Sequence, residues 1–304
     1  MDGLVTVVVP AYNEAESLPV FLPQCIAHCE SRGWKVVVVN DGSTDGTRKE
    51  LERYAVYQNV QVLHHKLNRG YGAALKTGIT LADTRYVATV DADGQHQLSD
   101  LDALVETLQE TDADMVVGSR AHLRSASLYR ELGKWIIRRI TGLLVPLDIR
   151  DLNSGLKLFN TRLAQAHIHL CPDSMAFSDV ITLIFVSRRY LVVEHPIQVG
   201  RRLGGKSTIS TRTALETIFE ILNTIMLFNP MRIFVPASLF CILAGVIWGL
   251  PIVLLGRGVS VASMLAIVTG VLFLFLGLVA QQLSLIRRES GNVHRETPGS
   301  GDPG

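Results

Sequence analysis

The chain has 304 residues, 48% of them hydrophobic, and a formal net charge of +1. That length admits one large α/β domain plus a smaller appendage, and the apolar content directs attention first to membrane segments. A balanced charge, with no basic tract interleaved with aromatics, gives no pull toward nucleic acid. Four scattered cysteines are too few for a disulfide framework. Cys25, His28 and Cys29 share a helix face, but zinc normally takes four ligands, so buried thiols are the simpler expectation. Residues 1–6 lead straight into a strand, so we expect no signal peptide and a reducing cytoplasm around this part of the chain.

In chain order, β-branched runs at 5–9, 36–39, 60–63, 86–90 and 115–117 alternate with helix-compatible stretches such as 47–54 and 100–109. Such alternation predicts βαβ units and a mostly parallel sheet covered on both faces. Ligands of open sheets bind at the carboxyl ends of strands. Three polar clusters occupy those ends: Pro10-Ala11-Tyr12-Asn13-Glu14, Asn40-Asp41-Gly42-Ser43 and Asp91-Ala92-Asp93-Gly94-Gln95.

The C-terminal region differs in kind. Segments 233–256 and 261–286 are uncharged and apolar, and each exceeds the roughly 20 residues needed to cross a bilayer. Arg232 and Arg287-Arg288 flank the pair, while the connecting loop holds only Arg257, so the positive-inside rule places both termini and the preceding domain in the cytoplasm. Residues 128–147 and 213–228 read as amphipathic helices at the lipid surface, the first with basic residues Arg130, Lys134 and Arg138. The sequence reading therefore divides into a catalytic domain over 1–212, a juxtamembrane helix over 213–229, two spanning helices, and a disordered tail over 289–304. The hairpin shows few obvious small-residue packing motifs. Two helices alone often gain by associating, which leaves a homo-oligomer open.

The chemistry lies in the strand-end motifs. Asp91 and Asp93 can present two carboxylates to one point, a site for Mg²⁺ or Mn²⁺, which prefer hard oxygen ligands and share a substrate diphosphate. Alone, such a pair is an ordinary acidic turn; its place after a buried-type strand, with Gln95 and His96 beyond, favours the metal. Asp41 suits a nucleobase or ribose, leaving Ser43, Thr44 and Asp45 to cap the next helix. The Gly-rich loop Asn68-Arg69-Gly70-Tyr71-Gly72 suits backbone contacts with phosphate, Arg69 adding charge. Dinucleotide and P-loop fingerprints are absent, which argues against a dehydrogenase or a P-loop hydrolase.

Taken together, these motifs resemble the GT-A fold family 2 glycosyltransferases, and most of all the branch that loads polyprenyl phosphates, such as dolichyl-phosphate mannose synthase. Asp151-Leu152-Asn153-Ser154-Gly155-Leu156-Lys157 is similar to that branch's D-x-x-S-G-[FL]-[RK] motif, and Arg202-Leu203-Gly204-Gly205-Lys206-Ser207 to its R-x-x-G-x-S motif. The resemblance covers about residues 4–288. It implies a GT-A, Rossmann-like sheet domain carrying a C-terminal transmembrane hairpin. By the same resemblance Pro10, Tyr12, Glu14 and Asp41 hold the nucleoside, Asp91, Ala92, Asp93 and Gln95 organise metal and diphosphate, and Arg69, Arg202, Lys206 and Ser207 approach the phosphates. Arg120, with Arg130, Lys134 and Arg138, faces the acceptor phosphate. The family often places Lys directly after the motif's Ser, where this chain has Thr208; Lys206 precedes it instead.

The implied reaction is inverting transfer of a hexose from a nucleotide-diphosphate sugar to a polyprenyl phosphate. Asp151 is the first candidate to orient the acceptor or act as base, and Asp179 the second; either can instead be a structural cap. Three rivals remain: a processive polysaccharide synthase, whose Q-x-x-R-W motif is absent, a transferase acting on another lipid, glycan or protein acceptor, and an inactive nucleotide-binding scaffold.

Overall fold

The computed structural model describes residues 3–120, 149, 151–198, 200, 226 and 230–293, with side chains as far as 285. The chain falls into two units, a sheet domain and a C-terminal helical hairpin. The basic segment at 128–147, nearly all of 213–229 and the boundary near 212 lie outside the described residues.

In the sheet domain the strands are β1 (Val5–Ala11), β2 (Lys35–Asn40), β3 (Val60–His64), β4 (Tyr86–Thr89), β5 (Met115–Ser119), β6 (Lys157–Asn160) and β7 (Val192–Pro196). The helices are α1 (Leu18–Glu30), α2 (Thr47–Glu52), α3 (Tyr71–Leu81), α4 (Leu98–Thr111), α5 (Thr161–His167) and α6 (Phe177–Ser187). The seven strands lie in the order β3-β2-β1-β4-β6-β5-β7. Pairing is parallel except where β6 enters antiparallel between β4 and β5.

β1, apolar except for Thr6, is buried along its whole length, as a strand covered on both faces requires. Val5, Val7 and Val9 join α1 and α4 in one core, with Leu18, Phe21, Leu22, Leu101 and Leu104. Alternate residues face the other way: Val8 packs so closely on α3 that a Cβ at Gly78 would lie 2.3 Å from Val8 Cγ1. β6, β7, α5 and α6 had no counterpart among the predicted elements.

The second unit pairs α7 (Met231–Leu254) with α8 (Val261–Val293). Both carry apolar stretches long enough to span a bilayer, Met231–Leu254 and Val261–Leu285. Two expectations need correction. α8 continues through the first five residues assigned to a disordered tail. And the hairpin does have a small-residue seam: Ser263, Gly270, Gly277 and Ser284 recur every seven residues on α8, and Gly245 and Gly249 sit four apart on α7. Cβ atoms at Gly245, Gly249, Gly270 or Gly277 would all come within 2.8 Å of the facing helix. The Ser263 hydroxyl donates to the Gly245 carbonyl across the seam at 2.5 Å.

Candidate active site

β1 pairs with both β2 and β4, so the carboxyl ends of these three strands lie side by side. The loop after β1 is knitted to the loop after β2. Asn13, at a positive φ of 54°, donates its N–H to Ser43 Oγ (3.0 Å) and accepts at Oδ1 from the Thr44 N–H (2.9 Å). The Glu14 N–H donates to Thr47 Oγ1 (2.9 Å), and the Glu14 carboxylate accepts from the Ser17 hydroxyl (2.5 Å). Pro10 lies within β1 opposite Val39, while Tyr12 projects from the loop, 45% exposed. None of the three residues expected to cap α2 is its N-cap, which is Gly46; Asp45, one position earlier, accepts at Oδ1 from the Thr47 N–H at 2.9 Å. Ser43 and Thr44 are spent on Asn13.

Asp41 is buried beneath the Gly-rich loop. Its Oδ1 lies 2.6 Å from His65 Nδ1 and accepts from the Arg69 N–H (3.0 Å), and its Oδ2 accepts from the Gly70 N–H (2.7 Å). Those two N–H groups are therefore not offered to phosphate, which corrects the expectation for this loop. Its glycines serve close approach instead. A Cβ at Gly70 (φ 104°) would lie 2.3 Å from the Asp173 carbonyl oxygen, and one at Gly72 2.3 Å from that of Pro172. The Arg69 side chain stays exposed.

At the end of β4 the chain turns at Gly94 (φ 69°), and Asp93 Oδ1 accepts from the Gln95 N–H at 3.0 Å. Ala92 is buried under this turn, and the Gly200 N–H donates to the Gln95 carbonyl at 2.8 Å. That bond brings the chain just ahead of the Arg202 motif to the acidic turn. Asp91 Oδ1 accepts from the Tyr71 hydroxyl (2.8 Å), and Oδ2 lies 3.7 Å from His96 Nε2. Burial alone would raise the Asp91 carboxyl, but His96, the Tyr71 hydroxyl and the charge of Arg120 outweigh it and hold its pKa below the usual value.

Arg120, at the end of β5, is gripped by Asp151. Its Nε donates to Asp151 Oδ2 (2.9 Å), one terminal nitrogen to Oδ1 (3.1 Å), and its backbone N–H to Oδ2 (2.9 Å). The Asp151 N–H in turn donates to the Glu194 carboxylate (2.7 Å). Burial opposes the charge on Asp151, yet Arg120 prevails and lowers its pKa. Beneath this pair Lys157 is fully buried, its amine donating to the Leu152 carbonyl (2.7 Å), to Thr182 Oγ1 (2.9 Å) and to the Ser178 carbonyl. Burial pulls Lys157 down to about 8 against the charges of Asp179 and Asp151. Asp179 is buried in the first turn of α6.

The structure thus gathers Asp91, Asp93, Gln95, Arg120, Asp151 and, below them, Asp179, with Asp41 one loop away. Arg130, Lys134, Arg138, Arg202, Lys206 and Ser207 lie outside the described residues. The sequence reading passed over Tyr71 and Lys157 as individual side chains; each sits inside a quoted motif, which was the available signal. Zinc is not supported at α1, where Cys25 and Cys29 are buried against each other and His28 turns to Asp102 (Nε2–Oδ1 3.3 Å).

The chain matches two family models and several known relatives. The model of glycosyl transferase family 2 matches residues 6–177, and that of the GtrB C-terminal hairpin matches residues 229–286. The undecaprenyl-phosphate 4-deoxy-4-formamido-L-arabinose transferase of Proteus mirabilis is 26% identical over 96% of this chain and 90% of its own. The dolichyl-phosphate beta-glucosyltransferase ALG5C of Trichomonas vaginalis is 30% identical over 67% of this chain and 66% of its own. Among solved structures, glucosyl-3-phosphoglycerate synthase of Mycobacterium tuberculosis, in complex with Mn²⁺, UDP-glucose and phosphoglyceric acid, shares the fold at a TM-score of 0.54. It is 16% identical and covers 73% of this chain and 80% of its own.

Proposed function

Because the chain belongs to glycosyl transferase family 2, we propose that it transfers a hexose from a nucleotide-diphosphate sugar to a polyprenyl phosphate, with inversion at the anomeric carbon. The observation that carries this reading is the meeting of two oppositely charged groups. The acidic turn Asp91–Asp93 stands beside Arg120, whose charge reaches Asp91, and a membrane hairpin follows in the same chain. The acidic side suits a donor diphosphate with its counter-ion, the cationic side an acceptor phosphate. The names of both relatives reported above, an undecaprenyl-phosphate and a dolichyl-phosphate transferase, support a lipid-phosphate acceptor.

A divalent cation fits the acidic turn. Asp91 and Asp93 supply hard oxygens, Asp91 is held ionised, and two carboxylates make only part of a coordination shell. Such an open set leaves room for diphosphate oxygens and water in the shell. With Gln95 these residues would hold Mg²⁺ or Mn²⁺, which as a Lewis acid would offset the charge of the leaving diphosphate. Tyr12, Glu14 and Pro10 serve the nucleoside in this reading, and Arg202, Lys206 and Ser207 are assigned to the phosphates by their motif.

The acceptor needs little help to ionise, since a phosphate monoester has a second pKa near 6 and is largely dianionic at neutral pH. Positioning and electrostatics therefore dominate the rate. Asp151, with its lowered pKa and its grip on Arg120, is a poor proton acceptor and a good orienter of the guanidinium. Arg232 and the Arg287-Arg288 pair flank the apolar helices, which supports a catalytic domain on the cytoplasmic side.

The test is an assay of the full chain with Mn²⁺ and a panel of labelled nucleotide sugars, with and without polyprenyl phosphate, read as labelled glycolipid. Asp93→Asn should lower transfer at least about 100-fold, the scale of removing one preorganised electrostatic group. Full activity in that variant, or glycolipid formed without added polyprenyl phosphate, would sink the proposal.

A further inference from the structure

The donor-side carboxylate Asp91 is held from three directions by segments far apart in sequence. Tyr71, the first residue of α3, donates its hydroxyl to Oδ1 at 2.8 Å. His96 stands 3.7 Å from Oδ2. Gly155, from the loop that carries Asp151, closes the third side: a Cβ there would lie 2.1 Å from Oδ2 and 2.6 Å from the carboxyl carbon. Gly155 has no freedom to back away, because its carbonyl accepts from Thr89 Oγ1 at 2.8 Å on the strand that leads to Asp91.

Tyr71 is equally fixed. Gly70 before it is bonded to Asp41, and Gly72 after it abuts the backbone of residues 172–174. Neither neighbour has space for a Cβ, so the aromatic ring is delivered to one place. Each carboxylate oxygen retains a second lone pair after these contacts.

We infer that Tyr71 and Gly155 are positioning residues that fix the Asp91 carboxylate for the donor's metal-diphosphate group. The Asn68–Gly72 motif thus acts by placing a hydroxyl, and the glycine of the acceptor-side motif acts by yielding space to a donor-side acid. The inference rests on the reading of Asp91 as part of the cation site. Partners that orient a ligating group typically change metal affinity by roughly 10- to 100-fold when removed.

The experiment titrates Mn²⁺ into the detergent-solubilised full chain, in the presence of UDP and, in parallel, of GDP, and follows free Mn²⁺ by electron paramagnetic resonance. Tyr71→Phe removes a single oxygen and should weaken Mn²⁺ binding about 10-fold; Gly155→Ala should weaken it at least as much. Tyr71→Phe keeps the test valid if Gly155→Ala fails to fold. Adding Tyr71→Phe to Asp91→Asn should bring no further loss, because the hydroxyl works through that carboxylate. If Asp91→Asn binds Mn²⁺ as well as the natural chain, the cation-site reading itself falls. If Asp91→Asn loses binding while Tyr71→Phe keeps it, or if the two losses add in full, the positioning role is overturned.

Discussion

The sheet domain and the hairpin solve opposite packing problems with the same amino acids. In the sheet domain Phe159, Phe177 and Phe185 are fully buried, and charged groups line the strand ends. In the hairpin Phe240 and Trp248 are 73% and 68% exposed, while Ser238, Ser263 and Ser284 are buried. The difference follows from the solvent. Water drives large apolar side chains inward at roughly 25 cal/mol per Å² of buried surface. Lipid offers no such drive, so two helices associate through close backbone approach and the few hydrogen bonds that small residues allow.

This contrast can be broken by single substitutions. The largest effect should come from Phe185→Ala, a cavity in the sheet domain that costs about 3–5 kcal/mol by denaturant unfolding of the full chain in micelles. Next, Gly249→Val should cost about 1–3 kcal/mol of hairpin stability, since a Cβ there already falls 2.0 Å from Ser263 Oγ and the helices must part. Protease resistance of the hairpin is the readout; an unchanged digestion pattern would deny the seam its role.

Asp151→Asn should cost about 1 kcal/mol, a modest figure because the Arg120 side chain is part-exposed. The sign of its pH dependence is fixed. The folded pKa of Asp151 lies below its unfolded value, so the stabilisation is present above about pH 4 and is lost as pH falls through the folded pKa. Thermal unfolding of variant and natural chain should therefore differ at pH 7 and converge at low pH. The Gly249→Val effect should not move with pH, as residues 261–285 carry no charge. Smallest of all, Trp248→Leu should stay within about 0.5 kcal/mol, despite removing a large aromatic, because that side chain faces outward from the hairpin rather than a partner.

How much of this was legible in the sequence varies by region for physical reasons. The parallel half was readable because buried strands need unbroken β-branched runs, and β1 and β2 supply them. β6 and β7 are short, and they carry Lys157 and the Glu194-His195-Pro196 end, so no apolar run announces them. The acidic turn was plain, yet the internal partners of Asp41, namely His65, Arg69 and Gly70, were not. A carboxylate's partner 28 residues away leaves no local mark. The seven-residue small-residue repeat on α8 was in plain sight; a search for four-residue spacing passes over it. Tyr71 could have been singled out by its place between two glycines, since such neighbours leave its ring as the only side chain the motif can present there.

The antiparallel entry of β6 has a consequence for how such a chain can diversify. β5 and β6 are neighbours, the Gly118 N–H bonds the Leu156 carbonyl at 3.0 Å, and the Arg120–Asp151 pair joins residues 31 apart. The excursion between them leaves and returns through one fastened gate. Its closure is set at that gate, and lengthening a closed loop costs only about 0.6 kcal/mol per doubling. A change of length between the two sides of that gate would therefore leave β4 and its acidic turn in register, because the closure is made by residues on either side of the interval.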